Sequence, residues 1–207
     1  TATASLREEL VARGFRNVVA WTRGVDLGLF HPRERGALNL PRPVFLYVGR
    51  VAVEKNIEAF LGLDLPGAKV VVGDGPARPA LERRFPDTHF LGAKFGEELA
   101  GAYAEADVFV FPSLTDTFGL VIVEALACGT PVAAFPVTGP KDVIDGAPVG
   151  ALDHDLAAAA RAALGLDRDA CRRFAEGFSW QRCAEILLER LAPIERAARC
   201  QTRRDSR

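Results

Sequence analysis

The 207-residue sequence contains no methionine, not even at position 1. The chain is therefore expected to be a piece of something longer. Its three histidines, His31, His89 and His154, stand far apart and are expected to be structural or surface groups rather than a catalytic set. The four cysteines, Cys128, Cys171, Cys183 and Cys200, share no C-x-x-C spacing. No metal-cluster pattern exists, and a disulfide framework does not suit a chain of this size. Reduced thiols are expected, with Cys128 and Cys183 packed against helices. No run approaches the ~18 apolar residues that would span a bilayer. Charge of neither sign dominates, because the formal net charge is −1. Nothing global therefore points to nucleic acid or to an anionic membrane. There is no internal repeat and no low-complexity segment.

What is present is regular alternation. Apolar runs at Val44–Val48, Ala68–Val72, Thr88–Leu91, Asp107–Phe111, Pro131–Phe135 and Pro148–Leu152 are too short for helices and rich in β-branched residues. Between and after them lie helix patterns at Glu54–Leu61, Ala77–Phe85, Gly96–Ala106, Phe118–Cys128, Gly139–Ile144, His154–Leu164, Arg168–Phe178 and Trp180–Leu191, the last capped by Ser179. Strands apolar on both faces and separated by helices predict an α/β fold with a parallel sheet covered on both sides. Ahead of this region, residues 1–13 predict a helix capped by Thr3 or Ser5 and stopped by Gly14. Asn17–Trp21 is a short strand candidate. Residues 31–43 have glycines, prolines and charges without a period and predict a linker. The tail from Glu195, with Arg196, Arg199, Arg203, Arg204 and Arg207, is expected to be a solvated end, with contact to an anionic lipid surface as the minority reading.

Ligands of such sheets bind at the carboxyl ends of the strands. The loops predicted there carry Gly49, Arg50 and Lys55, then Gly73, Asp74 and Gly75, then Leu91 and Gly92, then Asp116 to Leu120. Arg and Lys suit phosphate. Asp116 stands eight positions before Glu124, just ahead of a helix start whose free N–H groups suit an anion. Glu124 is the single charge in an apolar helix, and a lone carboxylate there suits a vicinal diol such as ribose. Each residue also has a plainer explanation: a solvated loop cation, a helix cap, or for Gly73-Asp74-Gly75-Pro76 an ordinary turn. Together the loops describe a ligand with phosphates and hydroxyls, a sugar nucleotide.

On these residues the segment from about Arg42 to Leu191 resembles the donor-binding domain of retaining GT-B glycosyltransferases of family 4, the glycosyl transferases group 1. The matching pieces are Tyr47-Val48-Gly49-Arg50 with Lys55-Asn56, the Gly73–Pro76 turn, Phe90-Leu91-Gly92, and above all the acid-x7-acid stretch Asp116–Glu124 followed by Gly129 and Pro131-Val132. Gly24–Asp26 with Phe30–Pro32 resembles the interdomain hinge, and Phe178–Trp180 resembles the start of the final helix.

The resemblance implies one Rossmann-like half of a GT-B fold: residues 1–30 the end of an N-terminal domain, 31–43 an interdomain linker, 44–192 the donor-binding domain and 193–207 a charged tail. It implies hexosyl transfer with retention from a UDP- or GDP-sugar to a lipid or glycan acceptor, held by the N-terminal domain that is missing here, without an essential metal or cofactor. Arg50 and Lys55 would bind the donor diphosphate and stabilise the leaving group. Asp116 would contact the hexose and Glu124 the ribose. Phe118, Gly119 and Leu120 would meet sugar and phosphate through their backbone, and Leu91 and Gly92 would line the base pocket, with Gly49, Gly73, Asp74 and Gly75 in the same set of loops. The family usually has Glu where Asp116 stands, and Asp reaches about one methylene less far. The chain alone is expected to be inactive, cytoplasmic and in some settings peripheral at the inner membrane face. The alternatives are a nucleotide-sugar binding module without transferase activity, or another GT-B enzyme such as a sugar-nucleotide epimerase.

Overall fold

The computed structural model describes residues 1–191; the predicted tail, with Cys200 and its arginines, lies outside them. Six parallel strands form one sheet: β1 (Val44–Val48), β2 (Ala68–Val72), β3 (His89–Gly92), β4 (Val108–Phe111), β5 (Val132–Ala134) and β6 (Gly150–Leu152), in the spatial order β3-β2-β1-β4-β5-β6. This is the doubly wound, Rossmann-like order. The chain winds outward from β1 to β3, then returns across β1 and winds the other way from β4. β1 is therefore central, in register with β2 along its whole length and with β4 through Phe45–Val108 and Leu46–Phe109.

Side chains alternate along the strands and build two cores. Val44, Leu46, Val48, Phe109 and Phe111 face one side with α4 (Gly96–Glu105), α5 (Leu120–Ala127), α6 (Pro140–Ile144) and α8 (Arg168–Ala175). Phe45, Tyr47, Val108 and Val110 face the other with α2 (Ile57–Leu61), α3 (Arg78–Arg84) and α7 (Leu156–Ala163). Fully burying a Phe or Leu side chain in this way contributes roughly 1.5–3 kcal/mol. Cys128, Cys171 and Cys183 are free and buried. Burial pushes the Cys128 and Cys171 thiols up to about 12, which keeps them protonated and unreactive.

Three local expectations need correction. Residues 17–21 are not a strand. Asn17 sits at φ 58, and the backbone here is used by the chain terminus: Thr1 donates its amino group to the Val19 carbonyl, and Trp21 N–H donates to the Thr1 carbonyl. The helix expected over Glu54–Leu61 is broken at Asn56, whose φ of 51 separates a 3-10 turn (Val53–Lys55) from α2. The helix expected from Phe118 begins at Leu120, with Gly119 at φ 77 ahead of it.

The first 30 residues are tied to the last helix of the described residues, α9 (Trp180–Arg190). α1 (Ala4–Ala12), capped by the Thr3 hydroxyl, reaches α6 through Ser5, whose N–H and hydroxyl both donate to Asp142. Trp21 Nε1 donates to the Cys183 carbonyl, Val25 N–H donates to the Phe178 carbonyl, and Gly24 lies so close to Trp180 that a Cβ would stand 2.5 Å from its ring. Residues 31–43 have neither helix nor strand but are fixed: Arg35 pairs with Asp107, Arg42 with Glu105 and Asp107, and Gly36 and Ala37 donate their N–H groups to Glu105.

Candidate functional site

The switch in winding direction leaves a gap at the carboxyl ends of β1 and β4, because their following loops run to opposite sides of the sheet. A cleft of about 320 Å³ occupies this gap, lined by Gly49, Arg50 and Lys55 from the β1 loop and by Ser113 and Asp116–Val121 from the β4 loop and the start of α5. The two loops are tied twice. Lys55 Nζ donates to Asp116 Oδ2 at 2.6 Å, and Asn56 Nδ2 donates to the Pro112 carbonyl at 3.0 Å. The left-handed conformation of Asn56, which Asn tolerates better than most residues, directs both of these contacts across the cleft.

The cations differ in their setting. Lys55 and Asp116 are partly buried, with side chains 30% and 23% exposed. Arg50 is exposed and reaches Glu54 at 3.1 Å. A third cation, Arg23, lines the cleft from the segment ahead of β1 and stacks on Trp21. Beneath the β1 loop, Tyr47 donates its hydroxyl to the Arg50 carbonyl at 2.9 Å. Burial first, then the Asp116 and Glu54 carboxylates, raise its pKa, so it stays a donor. At the other wall α5 opens with Gly119, and among the described residues no side chain caps it. Gly119, Leu120 and Val121 line the cleft there, at the end of the helix whose dipole favours an anion.

Glu124 does not line this cleft. It lies one turn into α5 and accepts a hydrogen bond from the Tyr103 hydroxyl of α4 at 2.8 Å. Burial raises the Glu124 carboxyl above its ordinary range, and the bond from Tyr103 opposes that rise. Tyr103 is fully buried and forms edge-to-face aromatic contacts with Phe30 and Phe109.

Gly73, Asp74 and Gly75 support the site's loops rather than its surface. A Cβ on Gly73 would stand 1.9 Å from the Gly49 carbonyl oxygen, and one on Gly75 would stand 2.3 Å from that of Val51. Gly49 N–H donates to Val72, Val51 N–H to Asp74, and Gly73 N–H to Gly92. The loops after β1, β2 and β3 are thus stitched backbone to backbone, which only glycine permits at these positive φ values. Asp74 pairs with Arg78 at 3.2 Å. Leu91 faces a second cavity, about 360 Å³, beside Lys94, Glu98 and Glu105.

The structure therefore brings Gly49, Arg50, Lys55, Asp116, Phe118, Gly119 and Leu120 to one cleft and sets Gly73, Asp74, Gly75, Leu91, Gly92 and Glu124 outside its lining. Ser113, Arg23, Asn56 and Tyr103 are residues of this region that sequence reasoning did not name as site residues. Ser113 and Asn56 follow or join motifs already noted, so their neighbourhood was the available signal. Tyr103 becomes visible only once α4 is known to lie against α5. Among the described residues no group of three or more His, Cys, Asp or Glu could hold a metal ion, and no helix is long and apolar enough to cross a membrane.

With this geometry in view, comparison with known proteins is consistent across sequence and fold. The family described as glycosyl transferases group 1 matches residues 42–169. A GDP-mannose-dependent alpha-mannosyltransferase of Mycobacterium tuberculosis is 40% identical over 205 residues, covering 90% of this chain and 54% of that protein. Sulfoquinovosyl transferase SQD2 of Arabidopsis thaliana is 37% identical over 158 residues, covering 69% of this chain and 31% of that protein. The chain thus spans about half, or less, of the length of these relatives. Among solved structures, sucrose-phosphate synthase from Thermosynechococcus elongatus superimposes with a TM-score of 0.72 at 29% identity, covering 89% of this chain and 55% of that one. Anabaena HepE in complex with UDP and glucose superimposes with a TM-score of 0.73 at 18% identity, covering 91% and 61%, which shows likeness of fold.

Proposed function

This chain belongs to the group 1 glycosyltransferases, and from that premise we propose that it is the donor-binding half of a retaining, family 4 GT-B hexosyltransferase whose donor is a nucleoside-diphosphate sugar, with GDP-mannose first among the candidates. One observation carries the reading: Lys55 and Asp116 meet across the sheet's switch point, in a cleft that also holds Arg50 and the open N-terminus of α5. A cation beside an acid, over free helix N–H groups, matches a molecule that joins a diphosphate to a polyhydroxylated ring. The choice of GDP-mannose rests on the names of similar mannosyltransferases from mycobacteria and a corynebacterium.

In this reading the bond between the anomeric carbon and the terminal phosphate oxygen breaks, and negative charge grows on the departing diphosphate. Lys55 and Arg50 stabilise that charge, and the amides at the start of α5 add donors that need no reorganisation. Asp116 accepts hydrogen bonds from the sugar hydroxyls and holds the ring, and Glu124 holds the ribose hydroxyls from its place beside Tyr103. The acceptor hydroxyl enters on the face the diphosphate leaves and passes its proton to the departing phosphate oxygen as its own oxygen bonds the anomeric carbon, so configuration is kept. No metal is needed where the protein's own cations balance the diphosphate. The acceptor, a lipid or glycan, is held by the part of the enzyme corresponding to the remaining length of its relatives. The reaction takes place in the cytoplasm, at the inner membrane face when the acceptor is a lipid.

Titration calorimetry of this chain with GDP, UDP and ADP tests the reading. Binding of a nucleoside diphosphate is expected, strongest for GDP and weakened by salt. A folded chain that binds none of the three refutes it.

A further inference from the structure

Ser113 is the second residue beyond the end of β4, after Pro112, and it lines the cleft. It is 1% exposed, and its hydroxyl has no hydrogen-bond partner. Among the described residues the only other buried side-chain nitrogen or oxygen in that state is Arg33 Nε. The Arg33 guanidinium is otherwise engaged with the Leu29 carbonyl and Glu97, away from the cleft. A buried hydroxyl without a partner is penalised, because it has given up water for nothing. The polar groups around Ser113 are satisfied: the Pro112 carbonyl accepts from Asn56, Asp116 accepts from Lys55, and Tyr47 donates to the Arg50 carbonyl. Among the described residues that line the cleft, Ser113 alone has a buried side-chain polar atom without a partner.

Its position relative to Lys55 decides what would satisfy it. Lys55 directly precedes Asn56, and Ser113 directly follows Pro112. Lys55 and Ser113 therefore flank the hydrogen bond between Asn56 and Pro112, and both line the cleft. Resting on the nucleotide-sugar reading of the cleft, we propose that Ser113 is a further donor-binding residue, whose hydroxyl donates a hydrogen bond to a phosphate oxygen of the bound nucleoside diphosphate alongside the Lys55 ammonium. A phosphate that draws Lys55 away from Asp116 reaches down to Ser113 in the same movement. The hydroxyl trades an unsatisfied state for a charge-assisted bond.

The proposal gives Ser113→Ala effects of opposite sign on the empty and the loaded protein, which an ordinary structural serine would not show. In thermal unfolding of the full 207-residue chain without ligand, Ser113→Ala melts at or above the wild-type temperature, because no bond is lost and a stranded oxygen is removed. In calorimetry with GDP its affinity falls roughly tenfold or more, while binding of guanosine, which has no phosphate, is unchanged. Equal GDP affinity in wild type and variant overturns the proposal and leaves the nucleotide-sugar reading standing. A variant that melts lower, or does not fold, shows that the hydroxyl has a structural partner and overturns it too. A wild-type chain that binds no nucleoside diphosphate ends both.

Discussion

Replacing Tyr103 by phenylalanine removes one oxygen from the interior and nothing else. The ring keeps its contacts with Phe30 and Phe109, its backbone carbonyl still accepts the Thr130 hydroxyl at 2.6 Å, and no cavity larger than one atom forms. What is lost is the 2.8 Å bond to Glu124. Hydrogen bonds to charged groups contribute about 1.5–3 kcal/mol, and the Glu124 carboxylate has no other hydrogen-bond partner among the described residues, so that range applies at neutral pH. For a domain of this size each kcal/mol moves the melting temperature by roughly 2–4 °C, so the variant is expected to melt about 3–12 °C lower at pH 7. The loss shrinks as pH falls, because burial raises the Glu124 carboxyl and a protonated carboxyl tolerates a missing donor better than a carboxylate does. The assay is thermal or urea unfolding at pH 5 and pH 7 of wild type, Tyr103→Phe, Glu124→Gln and the double variant. Tyr103→Phe is expected to cost less in the Glu124→Gln background, where the acceptor carries no charge, than in wild type, so the two changes are not additive. A Tyr103→Phe chain that melts within 1 °C of wild type at pH 7, or strictly additive variants, would refute the argument that Tyr103 carries Glu124.

Three further outcomes are expected. Glu124 has a folded pKa above its unfolded one, so the folded state binds that proton more tightly and stability falls as pH rises from the ordinary carboxylate range through the raised value. Glu124→Gln should flatten the urea-midpoint profile between pH 4 and 8 and raise its neutral end; parallel profiles would show the carboxylate to be well solvated. Gly73→Ala should cost about 2–6 kcal/mol in denaturant unfolding, from positive-φ strain and a Cβ 1.9 Å from the Gly49 carbonyl, and a cost under about 1 kcal/mol would mean that the loops are not stitched as described. Lys55→Met should weaken GDP binding by about 1.5–3 kcal/mol and make the remainder less sensitive to salt, and calorimetry showing undiminished affinity would take Lys55 out of the site.

The fold was legible because its strands are buried on both faces and its helices alternate with them. Val44–Val48 could hardly be anything but an interior strand. The failure at residues 17–21 has the opposite cause. Asn17–Trp21 has β-forming side chains, but strand propensity is realised only beside a partner, and the nearby backbone groups were claimed by Thr1. The site was legible in composition but not in layout. The order of loops along the chain named Arg50, Lys55 and Asp116, whereas the crossing of β4 back to the side of β1 put them together. Ser113 lies in the polar stretch Ser113–Thr117, where the sequence carries no sign of burial, and only packing shows its side chain to be buried. Gly73 and Gly75 read equally as part of a ligand loop or of an ordinary turn, and in the structure their missing Cβ atoms make room for the Gly49 and Val51 carbonyls.

The 2.6 Å pair of Lys55 and Asp116 makes the empty cleft a lock with two keys. A bare anion can engage Lys55, but it strands Asp116 in a partly buried place beside a like charge. A neutral sugar can offer hydroxyls to Asp116, but it leaves Lys55 without its counter-ion. Each intruder must break the pair and repair only half of it. A molecule with an anionic half and a hydroxylated half repairs both in one step, so abundant phosphate and abundant free sugar are turned away by the charges that welcome their conjugate.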